Sequence, residues 1–139
     1  MLKCIAIDDE PLALRQITGY ISKIPYLELS ATFNNAIDAQ QRLTEEPADL
    51  IFADINMPDL NGVDFVRALP DRPMVIFTTA YSEYAVEGFK LDAVDYLLKP
   101  FSFADFSRSA AKANSLYELR QNRRSEPQET ASEATPRDK

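Results

Sequence analysis

Three carboxylates, one ammonium and one hydroxyl in this chain fall where chemistry is done rather than where solvated charges usually lie. The first is Asp54, at the end of Leu50-Ile51-Phe52-Ala53-Asp54, an apolar run too short for a helix and bounded by Pro47 and Pro58. Such a run reads as a strand buried on both faces. In an open α/β sheet the carboxyl ends of the strands form the ligand-binding edge, so Asp54 becomes a candidate nucleophile. Asp8 and Asp9 close the apolar segment that begins at Lys3, Thr79 ends Met74-Val75-Ile76-Phe77-Thr78-Thr79, and Lys99 ends Ala93-Val94-Asp95-Tyr96-Leu97-Leu98-Lys99.

Taken singly, each of these residues has a plain structural reading. Asp9 could cap a helix, Asp54 a loop, Thr79 could satisfy a strand end, and Lys99 could be a solvated surface charge. Together they pose an electrostatic problem, because three carboxylates crowded at one sheet edge repel and only one lysine stands near them. A hard divalent cation resolves the deficit. Asp9, Asp54 and the backbone carbonyl of Asn56 offer part of an octahedral oxygen set, which suits Mg²⁺ because it keeps several waters. A phosphoryl group approaching Asp54 would then meet the metal, the Lys99 ammonium and the Thr79 hydroxyl, and carboxylate attack would give an aspartyl phosphate.

The elements that must position these groups alternate. Lys3 to Asp8 reads as a first buried strand, and Asp9-Glu10-Pro11 as a helix start with proline in the first turn. Leu14, Ile17, Ile21 and Ile24 recur at helical spacing up to Pro25. Leu27, Leu29, Ala31 and Phe33 alternate with Glu28, Ser30 and Thr32, the period-two pattern of a strand with one face more exposed, for which an edge position is expected. Asn35 caps a second helix that must stop before Pro47. The loop Asn56-Met57-Pro58-Asp59-Leu60-Asn61-Gly62 leads into a short third helix with Val63, Phe65, Val66 and Leu69, closed by Pro70 and Pro73. Ser82 caps a fourth helix weakened by Gly88, and Ser102 a fifth whose Phe103, Phe106, Ala110, Ala113 and Leu116 form a stripe facing the core.

Five strands alternating with five helices imply a parallel sheet covered on both faces, a three-layer (βα)5 sandwich. The strand order 2-1-3-4-5 is borrowed from flavodoxin-like folds, and in it the first and third strands are neighbours at the point where the chain reverses direction. At 139 residues one domain is expected, over residues 1–122, with residues 123–139 a hydrophilic linker or tail leading to an absent output domain.

Composition narrows the chemistry. There is no histidine, so the commonest general base and zinc ligand are missing, and the single cysteine, Cys4, reads as a buried inert thiol. Acidic residues outnumber basic ones 22 to 15, which opposes nonspecific contact with nucleic acid by this domain. No apolar run approaches the roughly 18 residues of a membrane span, and Met1 leads straight into a strand without an export signal, so a cytoplasmic location with no membrane contact is expected.

With these residues in place, Asp8-Asp9-Glu10-Pro11, Asp54 with Asn56-Met57-Pro58-Asp59 and Gly62, Thr79-Ala80 and Lys99-Pro100 resemble, in order, the receiver domain of two-component response regulators. The resemblance implies phosphotransfer from a sensor histidine kinase to Asp54, with Mg²⁺ held by Asp8, Asp9, Asp54 and the Asn56 carbonyl, and a cis peptide before Pro100. It further implies a signalling switch that catalyses its own phosphotransfer and dephosphorylation rather than an enzyme in the usual sense. In the family Thr79 moves toward the phosphoryl oxygens, Tyr96 turns inward, and the surface of the fourth helix, fifth strand and fifth helix changes, supporting homodimerisation when phosphorylated. The segments Thr79 to Phe89 and Asp95 to Phe101 look more narrowly like receivers that precede a LytTR-type DNA-binding domain, so transcription regulation through a missing effector is expected, with a stand-alone receiver or phosphorelay protein-binding module as the alternative.

Two enzyme-like readings compete. A haloacid dehalogenase-type phosphohydrolase also forms an aspartyl phosphate, but it wants a second acid two residues after the nucleophile, where this chain has Asn56. A flavin-binding flavodoxin relative would need a Ser/Thr/Gly-rich phosphate cradle after the first strand, where this chain is acidic.

Overall fold

The computed structural model describes residues 1–69, 73–81 and 93–125. Its elements run β1 (Leu2–Ile7), α1 (Pro11–Ser22), β2 (Leu27–Phe33), α2 (Ala36–Glu45), β3 (Leu50–Asp54), α3 (Gly62–Arg67), β4 (Met74–Thr79), β5 (Asp95–Leu98) and a C-terminal helix (Phe103–Ser125). The helix expected from Ser82, with Gly88 inside it, Pro70, and everything after residue 125 lie outside the described residues.

All five strands are parallel and ordered β2-β1-β3-β4-β5, the expected doubly wound topology. Register levels the strand ends: Ile7 pairs with Ala53, Asp54 with Thr78, and Thr79 with Leu98. The segments that follow β1, β3, β4 and β5 therefore leave the sheet along one edge, at the reversal point between β1 and β3 where such folds bind ligands.

Side chains alternate between two cores, as period-two strands buried on both faces must. Leu2, Cys4, Leu50, Phe52 and Ile76 face Ile17 and Ile21 of α1 and Phe106, Ala110 and Ala113 of the C-terminal helix. Ile5, Ile7, Ile51, Ala53 and Phe77 face Ala36 and Ala39 of α2 and Phe65 of α3. Cys4 is wholly buried, and that burial, helped by the charges of Asp49 and Glu28, pushes its thiol up to about 12, as an inert thiol requires.

Helix starts follow the chemistry expected of them. Pro11 opens α1, the Asn35 side chain accepts from the Asp38 N–H, and Ser102 Oγ accepts from the Asp105 N–H while Asp105 accepts from the Ser102 N–H. One cap comes from a distance. Asp59, in the loop after β3, accepts from the Ala36 and Ile37 N–H groups and so ties that loop to the start of α2.

Two expectations are corrected. Strand β2 is an edge strand, but it has no single exposed face: a register shift pairs Cys4 with Leu29 and Ile5 with Ala31, leaving Ser30 as an extra residue. The bulge flips the parity, so Leu27 joins the α1 side of the sheet while Ala31 and Phe33 join the α2 side, and Leu29 is left 38% exposed. In the C-terminal helix Leu116 is 40% exposed rather than in the core, and Tyr117, one residue on, packs against the cluster instead. A 103, 106, 110, 113, 117 spacing keeps to the buried stripe, whereas 116 drifts off it. The same helix stays helical through Ser125, past the expected start of the hydrophilic tail at 123.

Gly62, the first residue of α3, donates its N–H to the Ile55 carbonyl at 2.8 Å. A Cβ there would collide with the Asp54 carbonyl oxygen and sit 3.0 Å from Ile55 Cα, backbone atoms that cannot step aside as a flexible side chain could. Gly62→Ala is therefore expected to cost about 1–3 kcal/mol in urea unfolding. A loss below about 0.5 kcal/mol would show that the backbone around Asp54 gives way freely.

Candidate functional site

Asp8, Asp9 and Asp54 each place a carboxylate oxygen within 4.8 Å of the others. Their exposures differ: Asp8 is fully buried, Asp54 is 5% exposed, and Asp9 faces solvent. Asp9 is not spent on capping, since α1 starts from Glu10 with no side-chain cap hydrogen bond. Asp8 is committed on both oxygens, one accepting from the Glu10 N–H at 2.9 Å and the other from Lys99 Nζ at 2.9 Å.

Lys99 is no solvated surface charge. Its side chain is only 20% exposed, and its ammonium stands 3.7 Å from Asp54 Oδ2 while paired with Asp8. Burial alone would lower the Lys99 ammonium, but the hydrogen bond it donates to Asp8 and the charges of Asp54, Asp8 and Glu10 outweigh it and hold it above its ordinary value. Its backbone N–H donates to the Thr79 carbonyl, so β5 and β4 present their last residues side by side.

Asp54 carries the uncompensated charge. Burial first and the Asp8 charge second push its carboxyl up to about 6, against the opposing pull of Lys99 and of the Asn56 N–H, which donates to Asp54 Oδ1 at 3.2 Å. Like charges about 4 Å apart repel by roughly 4 kcal/mol at the effective dielectric of a protein surface, and one ammonium shared among three carboxylates cannot cancel that. The donor set is all oxygen, with two buried ligands and one that opens to solvent, which fits a small hard cation that retains water.

Thr79 is wholly buried at the end of β4, and its Oγ1 accepts from the Tyr81 N–H at 3.1 Å. Tyr96 lies on β5 opposite Phe77, with ring centroids 5.4 Å apart. Its hydroxyl is buried with no hydrogen-bond partner among the described residues, and burial pushes the phenol up to about 12. Asp8, Asp9, Asp54 and Lys99 thus converge at one strand edge, Thr79 ends β4 beside them, and Tyr96 lies two residues back from that edge on β5. Sequence reasoning missed two supports. Asp8 is the direct partner of Lys99, and Gly62 lets α3 approach the Asp54 backbone; the Asn61-Gly62 pair signalled a turn but not that approach.

With Asp54 unfolded near its ordinary 3.8 and folded near 6, protonation favours the folded state, so without a divalent cation Asp54 destabilises the fold increasingly as pH rises through that window. In the presence of a chelator, Asp54→Asn should be more stable than the wild-type chain at neutral pH by about 2–3 kcal/mol, the difference fading by about pH 4. Urea titrations stepped through pH read this directly, and equal stability at neutral pH would show that Asp54 is already compensated.

The chain is similar to known proteins over most of its length. Residues 4–111 match the family described as the response regulator receiver domain. The transcriptional regulatory protein YpdB of Escherichia coli K12 is 32% identical over 123 residues, covering 86% of this chain and 50% of that protein. The sensory transduction protein LytR of Staphylococcus haemolyticus is 33% identical over 114 residues, 80% of this chain and 44% of that protein. These relatives are in line with the narrower resemblance to LytTR-type receivers, and the chain spans about half the length of the curated relatives it matches. The crystal structure of the response regulatory domain of protein MrkE from Klebsiella pneumoniae superposes with a TM-score of 0.78 at 32% identity, covering 85% of this chain and 99% of that one. With the sheet order and the acidic strand edge already established, the chain belongs to the receiver domain family of two-component response regulators.

Proposed function

We propose that this chain is the phosphorylation switch of a response regulator, with Asp54 the phosphoacceptor and a sensor histidine kinase the donor. The observation that carries the reading is the Lys99 ammonium, 2.9 Å from Asp8 and 3.7 Å from Asp54, beside three carboxylates at the carboxyl edge of the sheet. Asp8, Asp9, Asp54 and the Asn56 carbonyl would hold Mg²⁺. When bound, the ion neutralises charge on the phosphoryl oxygens.

An Asp54 carboxylate oxygen attacks the phosphorus of a phosphohistidine in line, the P–O bond forms as the P–N bond breaks, and the imidazole leaves. Lys99 is the residue that follows the charge. Its ammonium, already shared between Asp8 and Asp54, turns toward the new phosphoryl oxygens once the Asp54 carboxylate has become an acyl phosphate. The Thr79 hydroxyl exchanges its acceptance from the Tyr81 N–H for donation to the phosphoryl group. Attack by water on the phosphorus then breaks the Asp54 O–P bond, releases inorganic phosphate and returns Asp54 to its carboxylate, which makes the switch self-resetting. A dehalogenase-type hydrolase is disfavoured because Asn56, exposed two residues after Asp54, cannot protonate a leaving group.

Residues 1–122 would act as the receiver and the hydrophilic residues beyond as the lead into an output region, in keeping with relatives about twice as long. Transcription control through that region is proposed by analogy with the transcriptional regulatory protein YpdB, and action in the cytoplasm from the proposed kinase partner. No described helix is long and apolar enough to cross a membrane.

The acceptor assignment predicts that incubation with acetyl phosphate and Mg²⁺ adds a single labile phosphoryl group, seen by mass spectrometry, and that Asp54→Asn removes the gain. Turnover of free phosphate esters with no adduct would favour a hydrolase. The switch assignment adds that phosphorylation draws Tyr96, half-buried in this structure, further inward and strengthens homodimerisation through β5 and its neighbouring helices. Beryllofluoride with Mg²⁺ should then alter tyrosine fluorescence and raise the sedimentation coefficient, and Tyr96→Ala should suppress the second effect. Unchanged sedimentation with and without the mimic counts against the dimer.

A further inference from the structure

We propose that Phe101 is a positioning residue for the phosphotransfer site: its ring, inserted between α1 and the C-terminal helix, sets where the Lys99 ammonium stands. The proposal rests on the function inferred above. A lysine ammonium sits at the end of four methylenes, so its place depends on how firmly the backbone beneath it is held. On one side Lys99 is anchored by its N–H to the Thr79 carbonyl and by the pairing of Leu98 with Thr79. On the other, Pro100 is exposed and has no N–H to donate, and Ser102 is exposed at the start of the next helix. Between those two exposed residues only Phe101 enters the core, where it is 5% exposed.

Its surroundings lead to the second half of the site. The Phe101 ring lies 6.3 Å from Tyr20 of α1 and 6.4 Å from Phe106, nearly parallel to the latter. Phe106 stacks in turn on Phe52 with centroids 4.9 Å apart and 21° between planes. Phe52 precedes Asp54 by two residues on β3 and so shares its side of the strand. One aromatic layer therefore joins the backbone that carries the ammonium to the strand that carries the carboxylate. The separation of Lys99 and Asp54 is set by ring packing as well as by charge, because aromatic contacts of this kind are directional and resist sliding.

Phe103 supplies the control. It touches the same Tyr20, at 5.3 Å and edge-on, and lies beneath the Lys23 ammonium, but it belongs to the helix beyond the anchored turn. Phe101→Ala should slow phosphorylation of the full chain by acetyl phosphate at saturating Mg²⁺ about tenfold, since misplacing a catalytic group by a fraction of an ångström costs on that order. Mg²⁺ affinity should stay within about twofold, as the metal's ligands do not include Lys99. Phe101→Leu, which refills the pocket, should recover most of the rate, and Phe103→Ala should keep it while losing comparable thermal stability. Equal rate losses in Phe101→Ala and Phe103→Ala, or Mg²⁺ affinity falling in step with rate, would overturn the proposal. A second readout needs no phosphoryl transfer. The Lys99 ammonium signal in ¹H–¹⁵N spectra, protected by its pairing with Asp8, should be lost in Phe101→Ala and retained in Phe101→Leu and Phe103→Ala. Retention in all three overturns the positioning role even if the wild-type chain accepts a phosphoryl group, whereas a wild-type chain that accepts none, with the signal behaving as stated, overturns only the functional reading.

Discussion

The ion pair between Lys99 and Asp8 governs what the rest of the strand edge can do. Asp8 is wholly buried and satisfied twice, by the Glu10 N–H and by the ammonium. An unpaired carboxylate at that depth would cost several kcal/mol, so the pair is demanded by burial before any chemistry is considered. What remains for Asp54 is the far side of the same ammonium, 3.7 Å away, and one peptide N–H. Asp54 is thus the carboxylate left short of positive charge, and its raised affinity for a proton expresses the same shortage that a divalent cation would meet. Under the proposed function, acceptor and metal ligand would coincide in Asp54 because a single deficit underlies both roles.

That deficit can persist only on a rigid frame. Repelling carboxylates on flexible loops would splay apart, whereas here β1 and β3 are neighbours in register from Cys4 and Leu50 to Ile7 and Ala53, buried on both faces. Two packed cores hold the sheet from either side, and interiors at that density move as units rather than yield by increments. The loop after β3 is fastened twice, by Asp59 to the start of α2 and by Gly62 to the Ile55 carbonyl. Fold stability is being used to keep an electrostatically unfavourable group in place, the usual relation between scaffold and site.

How much of this could be read beforehand depended on whether the signal was local. Buried strands, proline and asparagine helix starts, and the residues of the site declared themselves by short-range pattern, and a strand's last residue marks the binding edge whichever strands adjoin it. Strand order did not come from pattern and had to be borrowed from a known topology. The β2 bulge was illegible because Leu27 to Phe33 alternates faultlessly, and only pairing with β1 reveals that Ser30 is one residue too many. Leu116 was misplaced because an apolar residue fits a helical stripe at either 116 or 117, and tertiary contact chose the tyrosine. Gly62 and Asp59 act across space on Asp54 and α2, and no spacing rule encodes such contacts.

The two cores also differ in how readily they could carry a change away from the site. On the α1 side, Phe52, Phe101 and Phe106 form a continuous ring stack whose members are nearly parallel and almost fully buried, so displacing one ring opens a void costing several kcal/mol. On the opposite side, Tyr96 sits on the four-residue β5, whose pattern is only half buried, and its hydroxyl has no partner among the described residues. A buried hydroxyl without a hydrogen bond forfeits about 1–3 kcal/mol that an outward position in water would restore. A site whose charge changed by nearly two units on the proposed phosphorylation would act on Tyr96 through the adjoining end of β4. Under the proposed function the stiff aromatic layer would hold the geometry of Lys99 while the half-buried β5 side responds, so that one sheet would serve phosphotransfer on one face and signalling on the other.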